Sequence, residues 1–177
     1  MSQRIIEVVD YDSRWPELFA EEQRLLARTL GAVVQKIHHI GSTSVEGLAA
    51  KPIIDILLEV ASVAELDQLN DQMVSIGYLP KGEFGIPRRR YFQKGDVIRT
   101  HQLHAYGIGD SELVRHLAFR DYLVRNQNIA DEYARLKKEV SASCDNDMDR
   151  YCDGKDAFIK EHEAKALQAL AATRPMN

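Results

Sequence analysis

The chain has 177 residues, of which 45% are hydrophobic and 28% charged, a composition typical of one globular domain. Its formal net charge of −4 argues against general nucleic-acid binding, which needs a basic surface. No apolar run approaches membrane-spanning length, and the first residues lack the apolar region of a signal peptide, so we expect a cytoplasmic protein without membrane contact.

The first predicted elements carry alternating helical and strand patterns. Leucines at helical spacing follow Pro16 and stop at Gly31, which predicts a helix over 16–30. A strand is predicted at 32–40 and a fully buried one at 53–60, because that segment is apolar on both faces apart from two acids. A helix over 62–76 follows, and then a glycine- and proline-rich loop, LPKGEFGIP.

The second half of the chain turns from strands to helices. Strands at 89–93 and 98–106 are predicted to form a hairpin through Lys94-Gly95-Asp96. Helices are predicted at about 111–126, 129–142 and 147–171. This order predicts a single α+β domain over 1–177, with a small mixed sheet in about 1–109 and a helical part in about 110–177.

A loop suited to holding an anion lies at the end of the first predicted strand. Gly41 permits a tight turn, and Ser42 and Thr43 then offer hydroxyls and consecutive N–H groups. Such loops also occur as plain turns and helix caps, so the feature alone leaves both interpretations open.

Asp55 favours the anion-binding interpretation of the loop. A carboxylate inside an apolar strand is costly to bury unless it is paired or bound to a cation. The spacing lets the chain leave one strand at Ser42 and return beside it, which would place Asp55 opposite a phosphate with a divalent cation between them.

Four basic residues are further candidates for phosphate binding. Arg120 falls within the apolar stripe of its predicted helix, and Lys155 lies on one face with Tyr151 and Phe158. Lys51 precedes the Asp55 strand, and Arg89 belongs to the predicted hairpin. For Arg120 a structural ion pair, for example with Asp121, Glu112 or Asp55, stays open as the alternative.

These motifs resemble two known patterns. Gly41-Ser42 followed by an acid on a strand is similar to the signature of the nucleotidyltransferase superfamily. The strings HIGSTSV, GLAAKPIIDI, THQLH and HLAFRDYL resemble the GrpB family, also known as UPF0157, over about residues 11–158. The resemblance implies a nucleotidyltransferase-like fold and a nucleotide or another phosphorylated small molecule as ligand. It also implies a link to coenzyme A synthesis, since some members are fused to dephospho-coenzyme A kinase.

A divalent metal, Mg, Mn or Zn, is the cofactor that this resemblance implies. Asp55 would be the catalytic acid and a metal ligand, yet Leu57 stands where active members of the superfamily carry a second acid. The matching strand offers His104, and His39 is a further candidate, whereas His101 should face away by strand alternation. A set of histidine and aspartate suits the softer metals better than Mg²⁺.

Two functions therefore stay open. The first is binding of a nucleotide or other phosphorylated small molecule, with metal-dependent nucleotidyl transfer as its enzymatic form. The second is a non-catalytic regulatory or protein-docking module on a degraded nucleotidyltransferase fold. Metal-dependent turnover would favour the enzyme, and binding without turnover would favour the module.

Overall fold

The computed structural model describes residues 5–174 as a five-stranded sheet surrounded by six α-helices. The strands are β1 (Val34–Ile40), β2 (Ile54–Val60), β3 (Tyr78–Pro80), β4 (Arg90–Lys94) and β5 (His101–Gly107). The helices are α1 (Trp15–Leu30), α2 (Val63–Asp67), α3 (Asn70–Ser75), α4 (Ser111–Arg125), α5 (Gln127–Ser143) and α6 (Met148–Ala172). The predicted α+β class with a small mixed sheet and a helical C-terminal part is confirmed.

Asp55 belongs to β2, which lies between β1 and β5 in the sheet. The strand order is β1-β2-β5-β4-β3, with β2 and β5 parallel and the other pairs antiparallel. In this register Ile40 of β1 and Gln102 of β5 lie on either side of Asp55. The carboxylate therefore stands at one end of the central strands, next to the loop that leaves β1.

Each face of the sheet has its own hydrophobic cluster. Ile56 and Leu58 are fully buried with residues of α1, α2 and α3. Leu57 points to the opposite face, where it packs with Tyr106 and with Leu113 of α4. Because side chains alternate along a strand, Asp55 lies on the same face as Leu57, the face covered by the C-terminal helices.

Two features in the middle of the chain were not predicted from the sequence. The helix predicted over 62–76 is the pair α2 and α3, which break around Gln68 so that both Leu66 and Met73 reach the same core. The loop LPKGEFGIP begins inside β3, a three-residue strand that pairs with β4 at the sheet edge. Pro80 made this segment look like a loop, but proline is tolerated on an edge strand.

The C-terminal helices complete a third cluster over the loop after β1. Asp110 caps α4 by accepting a hydrogen bond from the Glu112 N–H at 3.0 Å. Val45 and Leu48, from the loop, are buried against Leu123 of α4 and Ala130 and Tyr133 of α5. This packing brings one face of α5 and α6 over the hydroxyl loop. Within residues 5–174, no helix has the length and apolar character needed to cross a membrane.

Candidate functional site

The hydroxyl loop approaches Asp55 so closely that only glycine fits at its start. Gly41 has φ +71° and ψ −174°, a conformation that is essentially restricted to glycine. A Cβ at this position would lie 2.6 Å from Asp55 Oδ2. Ser42–Ser44 then form one turn of 3₁₀-helix, in which the Ser44 N–H donates to the Gly41 carbonyl at 3.2 Å.

Thr43 anchors the loop to β1 through a contact with His39. Its side chain is buried, and its hydroxyl lies 2.9 Å from His39 Nε2. The His39 ring stacks on Phe19 of α1, and burial lowers its pKa to about 4, so the ring is neutral at physiological pH. His39 therefore fixes the loop through Thr43, on the side of β1 away from Asp55.

The loop, the ends of β2 and β5, and the helices α5 and α6 enclose one pocket of about 140 Å³. Its lining combines hydroxyls, one carboxylate, three lysines and two tyrosines. The polar members are Ser42, Thr43, Lys51, Asp55, Gln102, Tyr133, Lys137, Tyr151 and Lys155. The structure thus brings together six of the predicted site residues, namely Gly41, Ser42, Thr43, Lys51, Asp55 and Lys155.

Lys137 is the most buried cation of the pocket. Its side chain is 2% exposed, and Nζ donates to Ser42 Oγ at 2.7 Å and to the Ala49 carbonyl at 2.5 Å. Both partners are neutral, and Nζ also lies 4.4 Å from the centre of the Tyr133 ring. Burial, reinforced by the nearby positive charges of Lys155 and Lys51, lowers the Lys137 pKa to about 7.

Lys51 and Lys155 lie on the ring of Tyr151. Their Nζ atoms are 4.9 Å and 4.5 Å from the ring centre, respectively. Among residues 5–174, the contact of the Lys155 ammonium is with the Tyr151 ring, and no carboxylate lies within ion-pair distance of it. Burial lowers its pKa. An aromatic face stabilises a cation without neutralising it, so the charge stays available to an anion in the pocket.

His104 lies beside Asp55 on the same face of the sheet. Its Nε2 is 3.9 Å from Asp55 Oδ1, and its Nδ1 is 3.4 Å from Arg89 Nη1. A guanidinium only donates, so Nδ1 must accept, and a neutral ring then carries its proton on Nε2, toward Asp55.

These two side chains do not make a metal site by themselves. In the part of the chain that the structure describes, no three His, Cys, Asp or Glu side chains are grouped to hold an ion. Leu57, two residues after Asp55 on the same face of β2, is fully buried in the apolar cluster with Tyr106 and Leu113 and offers no ligand atom. The donor set present does not fit a resident metal, because further ligands would have to come from a bound molecule.

Arg89 and Arg120 lie outside the pocket lining. Arg89 is buried, and it donates to the carbonyls of Glu83 and Phe84 and stacks on Tyr91, so it holds the loop before β4. Arg120 pairs with Asp121 at 2.8 Å and donates to the His39 carbonyl at 3.2 Å. Asp121 was one of the partners considered for a structural ion pair of Arg120, and this ion pair is present.

Comparison with known proteins then places the chain in a family. The family model described as "GrpB protein" matches residues 5–165. The chain belongs to the GrpB family. A crystal structure of conserved protein GrpB from Enterococcus faecalis is 44% identical, covers 93% of this chain and 99% of that one, and superposes with a TM-score of 0.90.

Curated relatives extend the comparison to longer proteins. The UPF0157 protein YqkA of Bacillus subtilis is 48% identical over 92% of this chain, which spans 48% of that protein. A dephospho-CoA kinase of Mycolicibacterium paratuberculosis is 25% identical over 91% of this chain, which spans 46% of the kinase. The chain thus covers only about half the length of each of these relatives.

Reasoning from this GrpB sequence assigned no site role to four polar residues of the pocket, namely Gln102, Tyr133, Lys137 and Tyr151. Lys137 follows Ala130 and Tyr133 at helical spacing, so it falls on the buried face of α5. That signal is the same one that singled out Arg120 and Lys155. Gln102 faces the pocket because it is the register partner of Asp55.

Proposed function

We propose that this GrpB chain binds the phosphate groups of a nucleotide or another phosphorylated small molecule in the pocket around Ser42 and Asp55. The observation that carries the proposal is the presence of two buried or half-buried lysines, Lys137 and Lys155, with no carboxylate partner among the described residues. Burying an uncompensated charge is unfavourable unless a ligand supplies the opposite charge.

Three surface lysines differ from Lys137 and Lys155 in having a carboxylate partner. On the surface, Lys138, Lys160 and Lys165 each pair with a carboxylate at 2.6 Å. In the pocket, three lysines face the single carboxylate of Asp55. Lys155, which has no carboxylate partner among the described residues, and Lys137 in its protonated form, together with the Ser42 hydroxyl, suit a phosphate anion.

Binding is supported better than nucleotidyl transfer. Transfer in the superfamily pattern requires a second acid, and Leu57 occupies that position inside an apolar cluster. Lys137 and Lys155 supply positive charge where a metal ion would otherwise neutralise phosphate. A regulatory module that senses a phosphorylated ligand uses the same pocket without turnover, so the proposal covers the binding step of both functions.

Calorimetric titration with inorganic tripolyphosphate and with ATP tests the proposal. Lys155→Met keeps the length of the side chain and removes the charge, so we expect both ligands to bind at least about tenfold more weakly, the effect of losing one charged contact. Lys160→Met is the matched control, because Lys160 lies on the same helix, is exposed, and pairs with Asp156.

The control variant should bind like the wild type. Equal affinity of wild type and Lys155→Met for both ligands, or no binding by the wild type at millimolar concentration, would contradict the proposal. Release of pyrophosphate from ATP, followed by phosphorus NMR, would add turnover to binding.

A further inference from the structure

A second concavity opens directly beside the phosphate pocket. It has a volume of about 330 Å³ and is lined by Ile5, Pro52, Val97, Ile98 and Met148, with Glu7 and Arg99 among its polar members. We call it the apolar groove. Lys51 and Ile53 line both the groove and the phosphate pocket, so the two spaces share one wall.

Three of the aliphatic side chains that line the groove are exposed to solvent. Ile5, Val97 and Ile98 are 74%, 65% and 79% exposed, and all three line the same space. Single exposed aliphatic side chains are ordinary, whereas these three lie together at one concavity, where they offer apolar contact to a ligand. Val97 and Ile98 stand on the loop between β4 and β5, which Gly95 begins with φ +92° and which the Thr100 N–H closes by donating to the Lys94 carbonyl at 2.9 Å.

Charged side chains also line the groove. Glu7 and Arg99 are both among its lining residues. The groove therefore offers apolar contact together with a few polar groups, a composition typical of sites for organic ligands.

From the shared wall and this composition we infer that the apolar groove receives the non-phosphate part of the same ligand. The inference rests on the proposed function, since it takes the phosphate to lie in the adjoining pocket. It names the ligand class more closely: a phosphate ester whose organic part is apolar, either aromatic or aliphatic. Lys51, between the two spaces, is positioned at the junction of the phosphate and the organic group.

Three probes with one phosphate group each test the inference, namely inorganic phosphate, 1-naphthyl phosphate and n-octyl phosphate. We expect at least one of the two esters to bind about tenfold more tightly than inorganic phosphate, the effect of burying about two methylene groups. Affinities can be measured by NMR titration of the complete chain.

Two variants test whether the gain in affinity of the esters comes from the groove. Ile98→Ser should reduce the affinity for the tighter ester by about threefold or more and leave inorganic phosphate unchanged, because the side chain contacts only the groove. Ile108→Ser is the control, since Ile108 is also exposed, at 59%, but does not line the groove. Both positions are exposed, so the substitutions should not disturb folding.

The outcomes distinguish failure of this inference from failure of the proposed phosphate binding. Esters that bind no more tightly than inorganic phosphate, or an Ile98→Ser variant that weakens all three probes equally, would overturn the inference and leave phosphate binding standing. If none of the probes, nor tripolyphosphate, binds, the proposed function fails and the inference with it. Dissociation of a dimer by Ile98→Ser, seen by light scattering without any ester preference, would instead assign the groove to contact between copies and overturn the inference.

Discussion

At the scale of single residues, Lys137 is the side chain that most constrains what the pocket can bind. It is buried beside two neutral oxygens, and its pKa is lowered to about 7. Its charge therefore changes near physiological pH, whereas an exposed lysine would stay protonated. An anion in the pocket would favour the protonated form and draw the pKa upward.

Sulfate isolates this effect, because it stays a dianion across the neutral range. As pH rises from 6 to 8, Lys137 loses its proton in the free protein, so we expect the affinity for sulfate to fall about fivefold to tenfold. Lys137→Met should bind weakly with little dependence on pH over the same range. Calorimetry at several pH values measures both.

A histidine control completes this experiment, because histidines ordinarily change charge in the same range. His104→Gln should retain the fall in affinity with pH. Loss of that fall in His104→Gln, with its retention in Lys137→Met, would assign the titration to His104 and contradict the role given to Lys137.

At the scale of elements, the turn from β1 into the hydroxyl loop is what places Ser42 beside Asp55. Gly41 makes the turn in a conformation that costs other residues about 1–3 kcal/mol, and it leaves no room for a Cβ beside the carboxylate. The closeness of loop and carboxylate is thus a property of the backbone, independent of any ligand.

Gly41→Ala should lower the free energy of unfolding by about 2 kcal/mol or more, through backbone strain and displacement of Asp55. Gly47→Ala is a matched control, because Gly47 also has a positive φ, +79°, but a Cβ there meets nothing within 4 Å. Urea unfolding of both variants compares them. Equal losses would show that crowding against Asp55 contributes nothing beyond the backbone term.

The elements also show where reasoning from sequence succeeds. β2 was predicted from its apolar character, and one of its two acids, Asp55, was placed near Ser42, because a short connection between neighbouring strands leaves few alternatives. The break between α2 and α3 was missed, since Leu66, Leu69 and Met73 keep helical spacing across it. Local periodicity does not record how two short helices adjust to one sheet.

At the scale of the whole molecule, the pocket is formed jointly by the sheet and the C-terminal helices. The sheet and its loop supply Ser42 and Asp55, and α5 and α6 supply Lys137 and Lys155. Which lysine or arginine faces the sheet depends on the packing of helices far away in the chain. That is why Arg120, chosen for its place in an apolar stripe, lies at the His39 carbonyl, while Lys137 received no role from the sequence.

A crystal structure of the chain soaked in thiophosphate tests the central claim most directly, because anomalous scattering from sulfur locates the anion. We predict a peak in the pocket, within hydrogen-bonding distance of Ser42, Lys137 and Lys155, with Asp55 at its edge. A pocket free of the anion at millimolar concentration, or an ordered anion bound only elsewhere on the surface, would contradict the account.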